Sequence, residues 1–210
     1  MAIQVNPNRM ELLQLKRKRL VALRGHKLLK DKLEGLLKDF MQVVKQYREL
    51  RRQVDAEISA VFGNLILASA TMPREVFLTA LAFSKCVAKL SVRERLIMNV
   101  RVPSFAFSLE GALLSYGLEA TNRDLDLAMG RIREVLERMV KLAEVEKTLE
   151  LVAQEIEKTR RRVNALEYIL IPQQEEAIHT IEGKLDELER ANITRLMKIK
   201  QLLGMEGAGG

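Results

Sequence analysis

The sequence predicts an all-α protein: a long antiparallel two-helix left-handed coiled coil with a small middle knob containing a short helix and a β-hairpin. Three observations predict it. Residues 8–72 and 104–171 contain no proline. Within them, Leu29, Leu33, Leu36, Phe40, Val43, Tyr47, Leu50 and Val54 are spaced 4,3,4,3,4,3,4, and Val145, Leu149, Val152, Ile156, Thr159, Val163, Leu166 and Leu170 repeat the same steps. Ala, Glu, Lys, Leu and Arg supply 110 of the 210 residues, the composition of long helices and coiled coils. Alternating steps of three and four place one apolar residue per turn on a narrow stripe, which a helix buries against another helix. A helix over residues 8–70 is roughly 95 Å long at 1.5 Å per residue. A compact globule of this size has a radius of gyration of about 17 Å. The expectation is a shaft.

The first long helix, in segment 1–70, starts at Pro7 with Asn6 or Asn8 as its cap. Its heptad stutters where Val54 to Ile58 repeats a step of four, which relaxes a left-handed supercoil. Apolar residues then grow denser from Ile58 to Ala70, so this segment should meet more than one neighbour. Thr71-Met72-Pro73 breaks the helix, and Pro73 can open a shorter one over 73–88. Around residues 90–103, Val92, Ile97, Val100 and Val102 sit among Arg93, Arg95, Asn99 and Arg101. The period-two alternation reads as a short hairpin ended by Pro103, although no Asn-Gly or Asp-Gly turn fixes it.

Gly111, Gly117 and the hydroxyl residues over 104–121 form a connector, closing a middle knob of 71–121. Thr121 and Asp124 resemble a capping box for the second long helix, 122–203. Pro172 should kink it near Ile169–Pro172, because proline removes a hydrogen bond and crowds the preceding turn. The stripe resumes at Ile178, Ile181, Leu185 and Leu188, and the tail 204–210 should be disordered. Two long helices joined by a short middle must run antiparallel, with both termini at one tip and the knob at the other.

The chain carries +7 in total, yet residues 1–52 hold 14 Lys/Arg against 5 Asp/Glu, leaving −2 for the remainder. An end this basic favours an anionic partner: nucleic acid, lipid headgroups or an acidic protein socket. A solvated helix face with spare lysines is the plain alternative. Residues 1–20 lack the apolar core of a signal peptide. The longest uncharged run, Ile58 to Pro73, is 16 residues, short of the roughly 20 that span a bilayer. One cysteine excludes an internal disulfide and fits a reducing compartment, so the expected location is the cytoplasm or the cytoplasmic side of a membrane.

No chemistry of an enzyme is legible. Gly183-Lys184 is followed by Leu185, so it does not make a phosphate loop, and no Gly-x-Gly-x-x-Gly follows a strand. His26 and His179 lack a second His or Cys at ligand spacing, so no metal is expected. Cys86 falls in the apolar pattern of the short helix and reads as a small core residue. Glu155, Glu157, Lys158 and Arg160 read as surface pairs along a helix. No catalytic residue and no cofactor is expected.

Four segments carry a resemblance: Asn6-Pro-Asn-Arg-Met-Glu-Leu12, Arg24-Gly-His-Lys-Leu-Leu-Lys-Asp-Lys32, Glu157-Lys-Thr-Arg-Arg-Arg-Val-Asn-Ala-Leu-Glu-Tyr-Ile-Leu-Ile-Pro172 and Glu189-Arg-Ala-Asn-Ile-Thr-Arg-Leu-Met-Lys-Ile-Lys200. Together they resemble the D subunits of V-type/A-type rotary ATPases. They cover about a fifth of the chain and come in the family's order, with Ile97-Met-Asn-Val-Arg-Val-Pro103 a weaker match in the hairpin region. The resemblance implies a non-catalytic central-stalk axle, the rotor of the motor. Its terminal helices enter the bore of a hexamer of catalytic A and non-catalytic B subunits. Its other end binds the small F subunit of the stalk and a funnel-shaped adaptor on the membrane ring, which carries protons or sodium ions.

On that reading, Arg9, Lys16, Arg17, Lys18, Arg19, Arg195, Lys198 and Lys200 contact the bore. Gly25, His26, Arg161, Arg162, Asn164, Glu167 and Pro172 are signature residues of the shaft, and Arg93, Arg95 and Arg101 face the lower stalk. A basic coiled-coil nucleic-acid-binding protein would share the Lys/Arg excess, but the aromatic stacking or groove-reading helix it calls for is missing. A generic scaffold accounts for the heptads but not for the segment from Arg160 to Pro172. No nucleic acid and no direct membrane span is expected.

Overall fold

A computed structural model describes residues 6–82, 85–112, 116–117 and 121–206. Helix α1 spans Arg9–Thr71 and α2 Arg74–Ala82. Strands β1 (Val87–Ile97) and β2 (Val100–Glu110) follow. Helix α3 runs over Arg123–Ala165, a π-helical turn over Leu166–Leu170, and α4 over Ile171–Glu206. The chain divides into two compact units. One combines residues up to Glu34 with those from Lys158 onward; the other is Gly35–Glu157.

The heptads locate the buried stripe. Every residue of the series from Leu29 to Val54 is buried or half-buried, and after the stutter Ile58, Val61, Leu65, Ala68 and Met72 continue it. Asn8 is the cap of α1, its Oδ1 accepting from the Met10 N–H at 3.3 Å. In the second series Val145 to Leu166 are buried or half-buried, but Leu170 is 41% exposed. The stripe moves instead from Leu166 to Ile171 and on through Gln174, Ile178, Ile181 and Leu185.

One step of five thus interrupts the threes and fours. The backbone takes it up as a π-turn, in which the Ile171 N–H donates to the Leu166 carbonyl, five residues back. This discontinuity overlaps the stretch Ile169–Pro172 where a kink is expected and begins three residues before it. Pro172 is the second residue of α4, directly continuing the π-turn, and offers no N–H to the carbonyls of that turn.

In the first unit, α1 and α4 pack through Leu15, Ala177, Ile178 and Ile181, with Leu12 and Leu185 alongside. Ion pairs of Arg9 with Glu189, Lys16 with Glu182 and Arg19 with Glu175 ascend one helix as they descend the other, so the pair is antiparallel. In the second unit, Val61 packs with Ala128 and Val135, and Ala68 and Met72 pack with Ala80 of α2 and Leu125 and Met129 of α3. An ion pair between Glu57 and Arg138 ties α1 to α3. The dense apolar segment thus has the two neighbours its composition called for, and α1 and α3 are antiparallel here too. The fold is all-α and coiled-coil-like, with a small two-stranded antiparallel hairpin.

The middle differs in detail from the sequence reading. Helix α2 stops at Ala82 instead of reaching 88; Val87 and Ala88 lie in β1, and half-buried Cys86 precedes that strand. The hairpin is longer than 90–103, with Val87 opposite Glu110 and Ile97 opposite Val100. Its two-residue turn is Met98-Asn99, both at positive φ (43° and 68°), as a type I′ turn requires.

Pro103 does not end β2. It faces Glu94 in a pair that makes no hydrogen bond across the hairpin, so its absent N–H costs the ladder nothing. Gly111 closes the foot of the hairpin at φ +101°, where a Cβ would meet the Lys85 carbonyl oxygen.

The cap of α3 is Asn122 in place of Thr121: its carbonyl accepts from Leu125 N–H at 3.1 Å and its amide donates to Thr71 Oγ1 at 2.8 Å. Of the tail expected to be disordered over 204–210, residues 204–206 continue α4 and 207–210 lie outside the described residues. One 18-residue window of α1 reaches a mean hydropathy of 1.2, long and apolar enough to cross a membrane, which the uncharged run alone did not suggest.

The hairpin is not a separate knob. Val100 and Val102 are buried with Leu36 of α1 and Val152 of α3, flanked by Phe40, Ile97 and Ile156. A Cβ on Gly35 would lie 2.9 Å from Met98 Cε, so glycine at 35 forms a notch for the hairpin turn. Further down, the Phe105 N–H donates to Glu144 Oε2 at 2.9 Å, and Arg133 Nη2 donates to the Leu109 carbonyl at 3.1 Å. Strand β2 therefore runs antiparallel to α3 and lies against it.

Candidate docking surfaces

A chain of helices acts through its exterior, so the candidate site is a set of surfaces. The first lies on the unit that pairs α1 with α4. Arg9 pairs with Glu189, Lys16 Nζ lies 2.7 Å from Glu182 Oε1, and Arg19 Nη2 lies 2.6 Å from Glu175 Oε1. His26 Nε2 stands 3.3 Å from Glu167 Oε2. Three of the basic residues expected to reach outward are thus turned onto acids of the facing helix.

Those acids escape the sequence reading, yet a signal for them exists: Glu175, Glu182 and Glu189 recur every seven residues, the spacing of charges that flank a coiled-coil seam. Arg17 and Lys18 are exposed, as are Arg195, Lys198 and Lys200. Beyond Glu189 the α4 helix is exposed at every position to Lys200, with Ile193 (52%), Leu196 (65%), Met197 (62%) and Ile199 (52%) open to solvent. Exposed apolar surface of this extent marks an interaction site.

The signature residues fall on the same unit. Arg161, Arg162, Asn164 and Pro172 are exposed, Gly25 and His26 half-buried. No heavy atom lies within 4 Å of a Cβ built on Gly25, so packing within the described residues does not demand glycine there.

The second unit carries the other surfaces. Arg93, Arg95 and Arg101 are exposed on the hairpin, and Arg101 lies 3.9 Å from Glu94 on the neighbouring strand. Beside Phe105 an open groove of about 720 Å³ runs between α1 and α3, lined by Lys45, Leu50, Lys141 and Val145. On α1 and α2, Phe62 (59%), Ile66 (65%), Leu67 (55%) and Leu78 (53%) are exposed. Tyr116 Oη donates to Asp126 Oδ1 at 2.8 Å. Burial, and then that carboxylate, push the phenol far above its ordinary range. Among the described residues no group of three or more His, Cys, Asp or Glu is placed to hold a metal ion.

The sequence profile of the ATP synthase D subunits matches residues 11–201. In Fusobacterium nucleatum, a V-type ATP synthase D subunit is 46% identical over 204 residues, covering 96% of this chain and 97% of the relative. One from Clostridium botulinum is 45% identical over 208 residues, covering 97% and 96%. A third, from a Thermoanaerobacter species, is 46% identical over 203 residues, covering 96% and 97%. The chain belongs to the family of ATP synthase D subunits. In this member, two of the segments that carried the resemblance, 24–32 and 157–172, are joined by the contact of His26 with Glu167.

Proposed function

We propose that this D-type chain is the non-catalytic central axle of a V/A-type rotary ATPase, coupling nucleotide turnover in a hexameric head to ion transport by a membrane ring. The observation that carries the reading is the α4 end: a helix paired by ion pairs as far as Glu189 and then bare to Lys200, with apolar and basic residues on all sides. Such an end gains by entering a bore formed by the catalytic A and non-catalytic B subunits. Arg17, Lys18, Arg195, Lys198 and Lys200 are the cations free to face acidic walls there; Arg9, Lys16 and Arg19 hold the two helices together. The small F subunit and the funnel-shaped adaptor would take the surfaces of the other unit, including the lower-stalk side of Arg93, Arg95 and Arg101. The complex would lie on the cytoplasmic face of its membrane.

Mechanically, an axle needs no active site. Its surface is not uniform around the helix pair, so each turn presents a different set of side chains to each catalytic interface. Differential contact then shifts the open and closed populations of each nucleotide site. The nucleotide and ion chemistry belong to other subunits.

The experiment is assembly from native membranes with an affinity tag on this chain. One copy should purify with a large ATPase, and removing residues 190–206 should leave the complex assembled while uncoupling hydrolysis from ion transport. A tagged chain that enriches nucleic acid in place of an ATPase, with binding that falls steeply as salt rises, would replace the axle by the basic-module reading.

A further inference from the structure

The outer edge of the hairpin is open along its whole length. Strand β1 spans 11 residues and is exposed at every position but the last. Its backbone orientation follows from two contacts of β2. The Phe105 N–H and the Leu109 carbonyl both turn away from β1, toward Glu144 and Arg133. Phe105 faces Val92 and Leu109 faces Ala88. These are therefore pairs without ladder hydrogen bonds, and the even-numbered residues of β1 direct their N–H and C=O groups outward. Native sheets cover or blunt such an edge. This one is neither short nor interrupted by proline.

The side chains specify what would pair with it. One face carries Leu90, Val92 and Leu96, 54–68% exposed, with Glu94 between the last two and 3.9 Å from Arg101 of β2. The other carries Arg93 and Arg95, both exposed, while Lys89 on that face is engaged by Glu110 at 2.6 Å. A strand added antiparallel would set its own alternate residues against these two rows. The odd-numbered positions would be the closer pairs, with Cα atoms about 4.5 Å apart, so the arginines dominate the choice of partner.

A second copy of the chain fits badly. In an antiparallel pair odd positions meet odd positions, and the odd positions of β1 hold Val, Lys, Ser, Arg, Arg and Ile, with no acid among them. Any register near the centre would oppose arginine to arginine or lysine, which is destabilising.

We propose that β1 is a strand-addition site for an extended segment of another protein in which apolar and acidic residues alternate. The apolar row would extend the sheet face of Leu90, Val92 and Leu96, and the acidic row would neutralise Arg93 and Arg95. Main-chain hydrogen bonds to the even residues supply the affinity, and the two rows supply the specificity. The site does not depend on the axle reading.

The test uses the 210-residue chain with two nine-residue peptides, one alternating Val and Glu and one alternating Val and Lys, read by amide hydrogen exchange and by titration. The Val/Glu peptide should bind at least tenfold more tightly and slow exchange at Ala88, Leu90, Val92 and Leu96. Val92→Pro deletes an outward N–H that the hairpin itself does not use. It should weaken binding tenfold or more while exchange at Ser91 and Arg93 stays slow. Arg93→Glu with Arg95→Glu should reverse the preference to the Val/Lys peptide. Equal binding of the two peptides, binding of neither, or binding that leaves the even amides unprotected would overturn the proposal. So would concentration-dependent self-association that protects the same amides without peptide.

Discussion

Deleting Leu170 separates two possible causes of the π-turn: the proline that follows it and the register of the buried stripe. If the helix were forced to continue as α through Leu166–Leu170, everything beyond would rotate by about 100°, one residue's worth of turn. Ile178 and Ile181, now 8% and 1% exposed, would leave the seam at about 1.5–3 kcal/mol each. Against this stands the roughly 3 kcal/mol that a proline costs in a helix interior. The register term is equal or larger, so Pro172→Ala alone should keep the π-turn and gain well short of 3 kcal/mol.

Removal of Leu170 shortens the step of five to four and restores an unbroken heptad, at little cost in burial because that side chain is 41% exposed. It places Pro172 inside a regular α-helix, however, so the single deletion should destabilise by up to about 3 kcal/mol. Combining the deletion with Pro172→Ala should return stability to within about 1 kcal/mol of the parent, giving a coupling of about 2 kcal/mol or more between the changes. Urea unfolding followed by circular dichroism would measure all four chains. A deletion that is equally costly with and without Pro172→Ala would refute the account, since the proline would then have no part in the π-turn.

Other outcomes follow from single contacts. Leu36 is fully buried beneath the hairpin, and Leu36→Ala should cost about 2–5 kcal/mol in unfolding free energy. Gly35→Val should displace the end of the Met98 side chain and leave the hairpin turn docked, seen as little change in amide exchange over residues 95–102, and Met98→Ala should remove the contact altogether. The raised Tyr116 phenol binds its proton more tightly when folded than unfolded. Stability should therefore be unaffected by this group below about pH 10 and fall as pH rises beyond it, a slope that Tyr116→Phe removes. Arg17→Glu with Lys18→Glu should leave the melting temperature of the isolated chain within about 2 °C. The same variant should weaken assembly with an ATPase head in a salt-dependent way, and normal assembly at all ionic strengths would make these residues merely solvated.

The helices are legible in the sequence because a stripe at steps of three and four has one economical use, and burial follows it residue by residue from Leu29 to Val54. The π-turn is legible too, in the step from Leu166 to Ile171; Pro172 marks a break over Ile169–Pro172 but does not show that the backbone takes it up as a π-turn. The hairpin is visible and looks shorter than it is. Pro103 looks terminal because a proline's cost depends on which edge its nitrogen faces, and that is set by the register that the Met98-Asn99 turn imposes.

Cys86, Val87 and Ala88 read as helix because short apolar runs fit either period; for Val87 and Ala88, strand pairing with Glu110 and Leu109 decides the matter. Of the candidate surfaces, charge is visible but its pairing is not. Lys16 and Arg19 look like their neighbours Arg17 and Lys18 until the facing helix supplies Glu182 and Glu175.

The notch at Gly35 also orders the events of folding. An isolated two-stranded hairpin is at best marginally stable in water, and this one reaches its buried partners across long loops, Met98 against Gly35 and Val102 against Val152. Those loops close only after α1 and α3 have met, because the platform of Leu36 and Val152 does not exist before then. The hairpin should accordingly dock last, with low φ-values at Val100 and Val102 and higher ones at Val61 and Val135. A nascent chain thus carries its open strand longest in the unprotected state, and the time spent there, more than the final stability, sets how much of the protein is lost to aggregation.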